Sequence, residues 1–141
     1  MMTAAFEKRL AYVLLRLMLG LDFLGHGGVR LMHGDGAFAA GMVKLMADTP
    51  LPAGLVHGFG LVLPFVELTV GLLLVLGLLT REALILGSLV MLSLMFGTVL
   101  RQDWSTAGLQ LNYSVVFSLL LFLRSSYDVG WWGLFKLRRV A

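Results

Sequence analysis

The sequence predicts an all-α integral membrane protein, an antiparallel bundle of four transmembrane helices. Hydrophobic residues make up 59% of the 141 residues and charged residues only 13%, against about 45–50% and about 25% in an ordinary soluble domain. The apolar residues also gather into runs long enough to cross a bilayer. Mean hydropathy is +0.91, and the charged residues that remain punctuate the runs or fall inside them.

The first run, Leu10 to Met32, follows Lys8 and Arg9. It contains Arg16, Asp22, His26 and Arg30, which the short apolar core of a signal peptide would not carry, so an uncleaved helix is expected although Ala37-Phe38-Ala39 resembles a cleavage site. The second run is Gly54 to Leu79 and the third Ala83 to Leu100; Ser105 to Leu123 completes the set. Each reaches the roughly 18–26 residues that a spanning helix needs. The connections Thr80–Glu82 and Arg101–Trp104 are short enough to impose tight helix hairpins. Between the first two runs lies a long connection, His33 to Ala53, rich in Gly and Pro around the apolar stretch Phe38 to Met46, which predicts a short interfacial or re-entrant helix.

Basic residues set the expected topology. Lys8, Arg9, Arg81, Arg124, Lys136, Arg138 and Arg139 fall on the side of the termini, against Lys44 and Arg101 on the other, which places both termini in the cytoplasm. Trp131 and Trp132, followed by Lys136, Arg138 and Arg139, make residues 124–141 an expected interfacial tail on anionic lipid. The formal charge of +3 is thus a topology signal, and no nucleic-acid partner is expected because no continuous basic surface forms. Cysteine is absent, which excludes disulfides, thiolate metal sites, cysteine-ligated iron–sulfur clusters and dithiol relays.

Ionisable groups inside hydrocarbon are costly and so point to function or to a partner. Along the first span Tyr12, Arg16, Asp22, His26 and Arg30 fall within about a third of the circumference at 100° per residue. On the second span His57, Gly60, Pro64, Glu67 and Gly71 share a face. Counting depth from Met32 and Gly54 at 1.5 Å per residue sets Arg16 about 24 Å down and Glu67 about 20 Å, with Asp22 at about 15, His26 at about 9 and His57 at about 5 Å. Arg16 is therefore expected to pair with Glu67 or Asp22. The outer half should hold a pocket lined by His26, His57, Glu67, Tyr113 and Asn112 and roofed by the His33–Ala53 connection. Gln110 and Asn112 point to different faces, so only one of the two can enter it.

That pocket suits a small amphipathic molecule with a polar head, such as a quinone, better than a phosphate, for no Gly-rich phosphate loop is present. No endogenous cofactor is expected. His26 and His57 at similar depth could ligate a haem or a metal, but three histidines without repeated spacing favour hydrogen-bonded histidines instead. Met91 and Met95 read as core packing rather than copper ligands.

Several segments together resemble the DoxX family of small four-helix membrane proteins. They are Leu15-Arg16-Leu17 through Gly25-His26-Gly27, Pro64-Phe65-Val66-Glu67-Leu68 with Gly71, the turn Gly77-Leu78-Leu79-Thr80-Arg81, Asn112, and Arg124-Ser125-Ser126-Tyr127-Asp128. The resemblance covers nearly the whole chain and implies one domain over 1–141, in the inner (plasma) membrane of a prokaryote. DoxD-like members serve as the small membrane subunit of a thiosulfate:quinone oxidoreductase, which implies a quinone-linked oxidoreductase complex with redox centres supplied by a protein partner. A homo-oligomer, a proton- or metal-linked small transporter and a purely structural subunit are the other readings.

Overall fold

The computed structural model describes residues 4–128. It is all-helical, with five helices in the order α1 (Ala4–Met32), α2 (Asp35–Leu45), α3 (Ala53–Leu76), α4 (Thr80–Leu100) and α5 (Trp104–Tyr127). Among the described residues there is no strand, and α1, α3, α4 and α5 are each long and apolar enough to cross a membrane. The expected spans hold to within a few residues at most ends, the larger shifts being the earlier start of α1 and the extension of α5 to Tyr127. The short helix expected within Phe38–Met46 is α2, which starts earlier because Gly34, at φ 93°, redirects the chain immediately before Asp35. The proposed tail, with Trp131, Trp132, Lys136, Arg138 and Arg139, lies outside the described residues.

Glycine sets how closely α1 and α3 approach. A Cβ on Gly27 would stand 2.6 Å from the backbone of Pro64 and of Leu68, and one on Gly71 would stand 2.5 Å from the Leu24 nitrogen and 2.7 Å from the Gly20 carbonyl oxygen. Three small residues thus bring two backbones together, the mode by which helices associate where no hydrophobic force distinguishes lipid from side chain. Residue numbers rise on one helix as they fall on the other, with contacting positions summing to about 93. The same holds for α1 and α5, where Tyr113 meets Asp22 and Arg16 meets Asp128.

This register overturns the depth count made from the helix ends. Met32 lies level with about residue 61 of α3, so α3 runs roughly 12 Å past the end of α1. That overhang is covered by α2: a Cβ on Gly60 would lie 2.8 Å from the Ala39 Cα, and Ala39 is fully buried. The long connection allowed the two helix ends to stagger, and equal depth from the ends was the wrong ruler.

The core runs between the four long helices, with Leu63, Val70 and Leu74 of α3, Leu84 of α4 and Phe117 and Leu120 of α5 all fully or almost fully buried. Phe23 and Phe117 meet edge to face, centroids 5.1 Å apart, and the Phe117 ring lies directly against Gly87, where any side chain would collide with it. Met91 is part of this core, as expected. Helix α3 stops at Gly77, whose φ of 66° continues into a turn in which the Leu78 N–H donates to the Leu73 carbonyl at 3.0 Å.

Candidate functional site

Two polar layers cross the interior. The first is a cluster on α1, α3 and α5. Glu67, 4% exposed, accepts from Arg30, and the Arg30 guanidinium lies 4.5 Å from the centre of the Phe38 ring on α2. Register explains the pairing: Glu67 stands level with about residue 26, and Arg30, one turn further along α1, reaches back toward the helix N-terminus, the direction in which helical side chains lean. Next to this pair, Asp22 accepts from the Tyr113 hydroxyl at 3.2 Å, and the His26 Nε2 lies 3.7 Å from Asp22 Oδ2.

The second layer lies at the α3–α4 turn and the end of α5. Arg16 is fully buried and donates from Nη1 to Asp128 at 2.7 Å. Its guanidinium lies under the α3–α4 turn, within 3.0 Å of where a Cβ on Gly77 would stand. The Arg16 Nε and Nη2 atoms and the Tyr12 hydroxyl are buried without a hydrogen-bond partner among the described residues.

The expected pairing of Arg16 with Glu67 or Asp22 is therefore replaced by two pairs, Arg16–Asp128 and Arg30–Glu67. The stagger of α1 and α3 puts Arg16 level with Gly77, about ten residues and roughly 15 Å from the Glu67 level. Asp128 was visible within the terminal Arg124–Asp128 segment, but no spacing rule links positions 16 and 128. The signal that could have found it was shared side: Arg16 lies in the first half of α1 and Asp128 directly after α5, on the side of the α3–α4 turn.

The single pocket expected around His26, His57, Glu67, Tyr113 and Asn112 is divided. A large cavity of about 710 Å³ does lie beneath α2, roofed by Phe38, Met42, Leu45 and Met46. Its polar lining is Arg30, Ser93, Thr98, Arg101, Thr106 and Gln110 rather than the two histidines. His57 is exposed on α3 and lines neither cavity, because α3 turns Gly60 and Glu67 inward while position 57, beyond the end of α1, faces outward. A second, open groove of about 290 Å³ between α1 and α5 takes Asp22, Asn112 and Tyr113. The expectation that Gln110 and Asn112 face apart is met, one in each space. Among the described residues no group of three or more His, Cys, Asp or Glu is arranged to hold a metal ion.

Asp103, in the connection above the large cavity, caps α5 by accepting from the Thr106 N–H at 3.1 Å and the Thr106 hydroxyl at 2.7 Å. Those bonds, the one from Ser105 and the nearby Arg101 hold its carboxyl below the usual aspartate value.

The arrangement is an all-helical chain whose four long helices are apolar enough to cross a membrane, with a short roofing helix and buried ion pairs. The DoxX family profile matches residues 11–101, and the chain belongs to that family. Comparison with curated proteins and with solved structures gives no match. The family match ends before α5, so Gln110, Asn112, Tyr113 and Asp128 stand outside the matched residues.

Proposed function

We propose that the chain is an antiparallel four-span subunit of the inner (plasma) membrane of a prokaryote, with both termini cytoplasmic, that binds a small amphipathic molecule of the quinone class in the cavity beneath α2. The observation that carries this reading is the cavity itself. About 710 Å³ falls within the roughly 300–1,000 Å³ range of ligand sites, and its walls are largely apolar with a few polar groups. Gln110, Arg30 and Thr106 supply polar side chains to its walls. The walls suit a ring with carbonyl or hydroxyl substituents: Phe38, Phe59 and Phe96 offer faces, and Met42 and Met46 adapt to shape. The chain has no cysteine, so electrons would come from a protein partner, in keeping with the oxidoreductase association that DoxX membership implies.

The test is saturable binding of a short-chain ubiquinone analogue to the full chain in nanodiscs, read by ligand-induced fluorescence change. Gln110→Leu should weaken binding about 2- to 10-fold, the worth of one hydrogen bond. Ser93→Trp, at an exposed lining position, should block the cavity and remove binding while leaving the thermal melt in place. Binding that survives Ser93→Trp, or no saturable binding at all, refutes the reading.

A further inference from the structure

The cavity beneath α2 carries an unevenly balanced charge. Its described lining holds two arginines, Arg30 and Arg101, and neither an aspartate nor a glutamate. Arg30 is paired with Glu67 and faced by the Phe38 ring. Arg101, at the α4–α5 turn, is held less well. Its ion-pair partner is Asp103, whose Oδ2 stands 3.8 Å from Nη2, too far for a hydrogen bond. That oxygen already accepts from the Thr106 hydroxyl at 2.7 Å, and Oδ1 accepts from the Thr106 N–H and the Ser105 hydroxyl. Asp103 is thus spent on capping α5 and answers Arg101 only at a distance.

We propose that the ligand of this cavity is an acidic amphiphile, an apolar body ending in one ionised oxygen acid, and that the Arg101 guanidinium receives its anionic head; this rests on the cavity reading above and names the ligand's charge. A guanidinium presents its N–H donors in a fork that meets a carboxylate or an ionised ring hydroxyl, and beside apolar walls their attraction is screened less than in water. The hydroxyls at this end leave that task to Arg101, because Thr98 donates to the Leu94 carbonyl at 2.8 Å and Thr106 to Asp103. Away from the turn the wall becomes apolar. Phe96 and Leu92 of α4 line the same cavity and are exposed, so the space runs about 13 Å along α4 from Arg101 and opens to the surroundings of the bundle. A head at Arg101 with an apolar body along Phe96 and Leu92 fits that shape. A neutral ligand would fill the space and leave the Arg101 charge with nothing but the distant Asp103.

The experiment compares two probes against nanodiscs holding the full chain: an alkyl hydroxynaphthoquinone, ionised in mildly alkaline buffer, and its methyl ether, which has no ionisable hydroxyl. Each is also titrated into empty nanodiscs, and the quantity read is the preference for the anion over the ether once the lipid's own preference is divided out. The wild-type chain should prefer the anion by about tenfold or more, the worth of a hydrogen bond to a charged group. Arg101→Gln should abolish that preference, and Arg101→Lys, which keeps the charge but not the fork, should retain part of it. A wild-type chain without the preference overturns the proposal whatever the variants do, and so does a preference that survives Arg101→Gln. A polyene fatty acid separates the two sources of the same chemistry. Saturable, Arg101-dependent binding of that carboxylate, with neither naphthoquinone bound, upholds the anionic head and removes the quinone ring. Saturable binding of the ubiquinone analogue with no preference for an anion does the reverse.

Discussion

Exchanging partners at the Arg30–Glu67 pair tests the register of the whole bundle. Glu67 is 5% exposed by side chain and Arg30 23%; removing one member of such a buried pair costs about 3–5 kcal/mol, because the other is left as an uncompensated charge. Arg30 retains the Phe38 ring at 4.5 Å, which a cation gains about 0.5–2 kcal/mol from, so Glu67→Gln should fall at the low end, about 3 kcal/mol. Arg30→Met leaves Glu67 able to take a proton, and a neutral carboxyl is cheaper to bury than a carboxylate. Arg30→Met combined with Glu67→Leu removes both charges, and apolar replacement of a buried pair is often close to neutral. The double variant should therefore be more stable than the sum of the singles by at least about 1.5 kcal/mol. Arg16→Met with Glu67→Leu should be additive within about 0.5 kcal/mol, since these residues belong to separate layers. The assay is reversible unfolding in mixed micelles by titration with dodecyl sulfate, followed by circular dichroism. Additivity for Arg30 and Glu67, or coupling between Arg16 and Glu67, would refute the stagger of α1 against α3.

Three further outcomes are expected. Gly77→Ala should destabilise by about 1–2 kcal/mol from its left-handed φ alone and further by driving the Arg16 guanidinium from its place, whereas Gly28→Ala, with open space around it, should be neutral or stabilising in the same titration. Asp103 has a depressed carboxyl, so its contribution to the α5 N-terminus is present above the usual value of 3.8 and lost as pH falls through the folded value; Asp103→Asn should flatten that acid limb in melts taken between about pH 6 and 2. An alkaline phosphatase reporter fused after Ala141 should be silent if the seven-to-two excess of basic residues sets orientation, and activity there would place the roofed cavity on the cytoplasmic side.

Much of the architecture was legible because hydrophobic run length and short hairpin connections are one-dimensional properties. Four spans, the short helix in the long connection and the opposed faces of Gln110 and Asn112 all come from counting along the chain. Pair identities did not, because they depend on how far two helices slide past each other. That slide is set by Gly20, Gly27 and Gly71, which carry no side chain; their positions along the chain are legible but not which backbone each one meets, and that contact decides that Arg30 rather than Arg16 reaches Glu67. His57 stands about 80° around α3 from Glu67, at the edge of the face the two were assigned to, and it is exposed while Gly60 on the same overhang is covered by α2.

The corrected pairing changes which residues carry the case for function. Charges within a membrane span invite a catalytic reading, yet Arg16 ties α1 to the end of α5 under the Gly77 turn, and Glu67 ties α3 to α1 and, through Arg30, to Phe38 of the roof. Each has a structural task that accounts for its burial. What those tasks leave over are largely neutral groups in the walls of the roofed cavity, Ser93, Thr98, Thr106 and Gln110. Arg30 alone touches the pair, the roof and the cavity at once. A ligand that engages Arg30 would have to share it with Glu67 and Phe38, so occupancy of the cavity and the closure of α2 over it should be coupled through this one guanidinium.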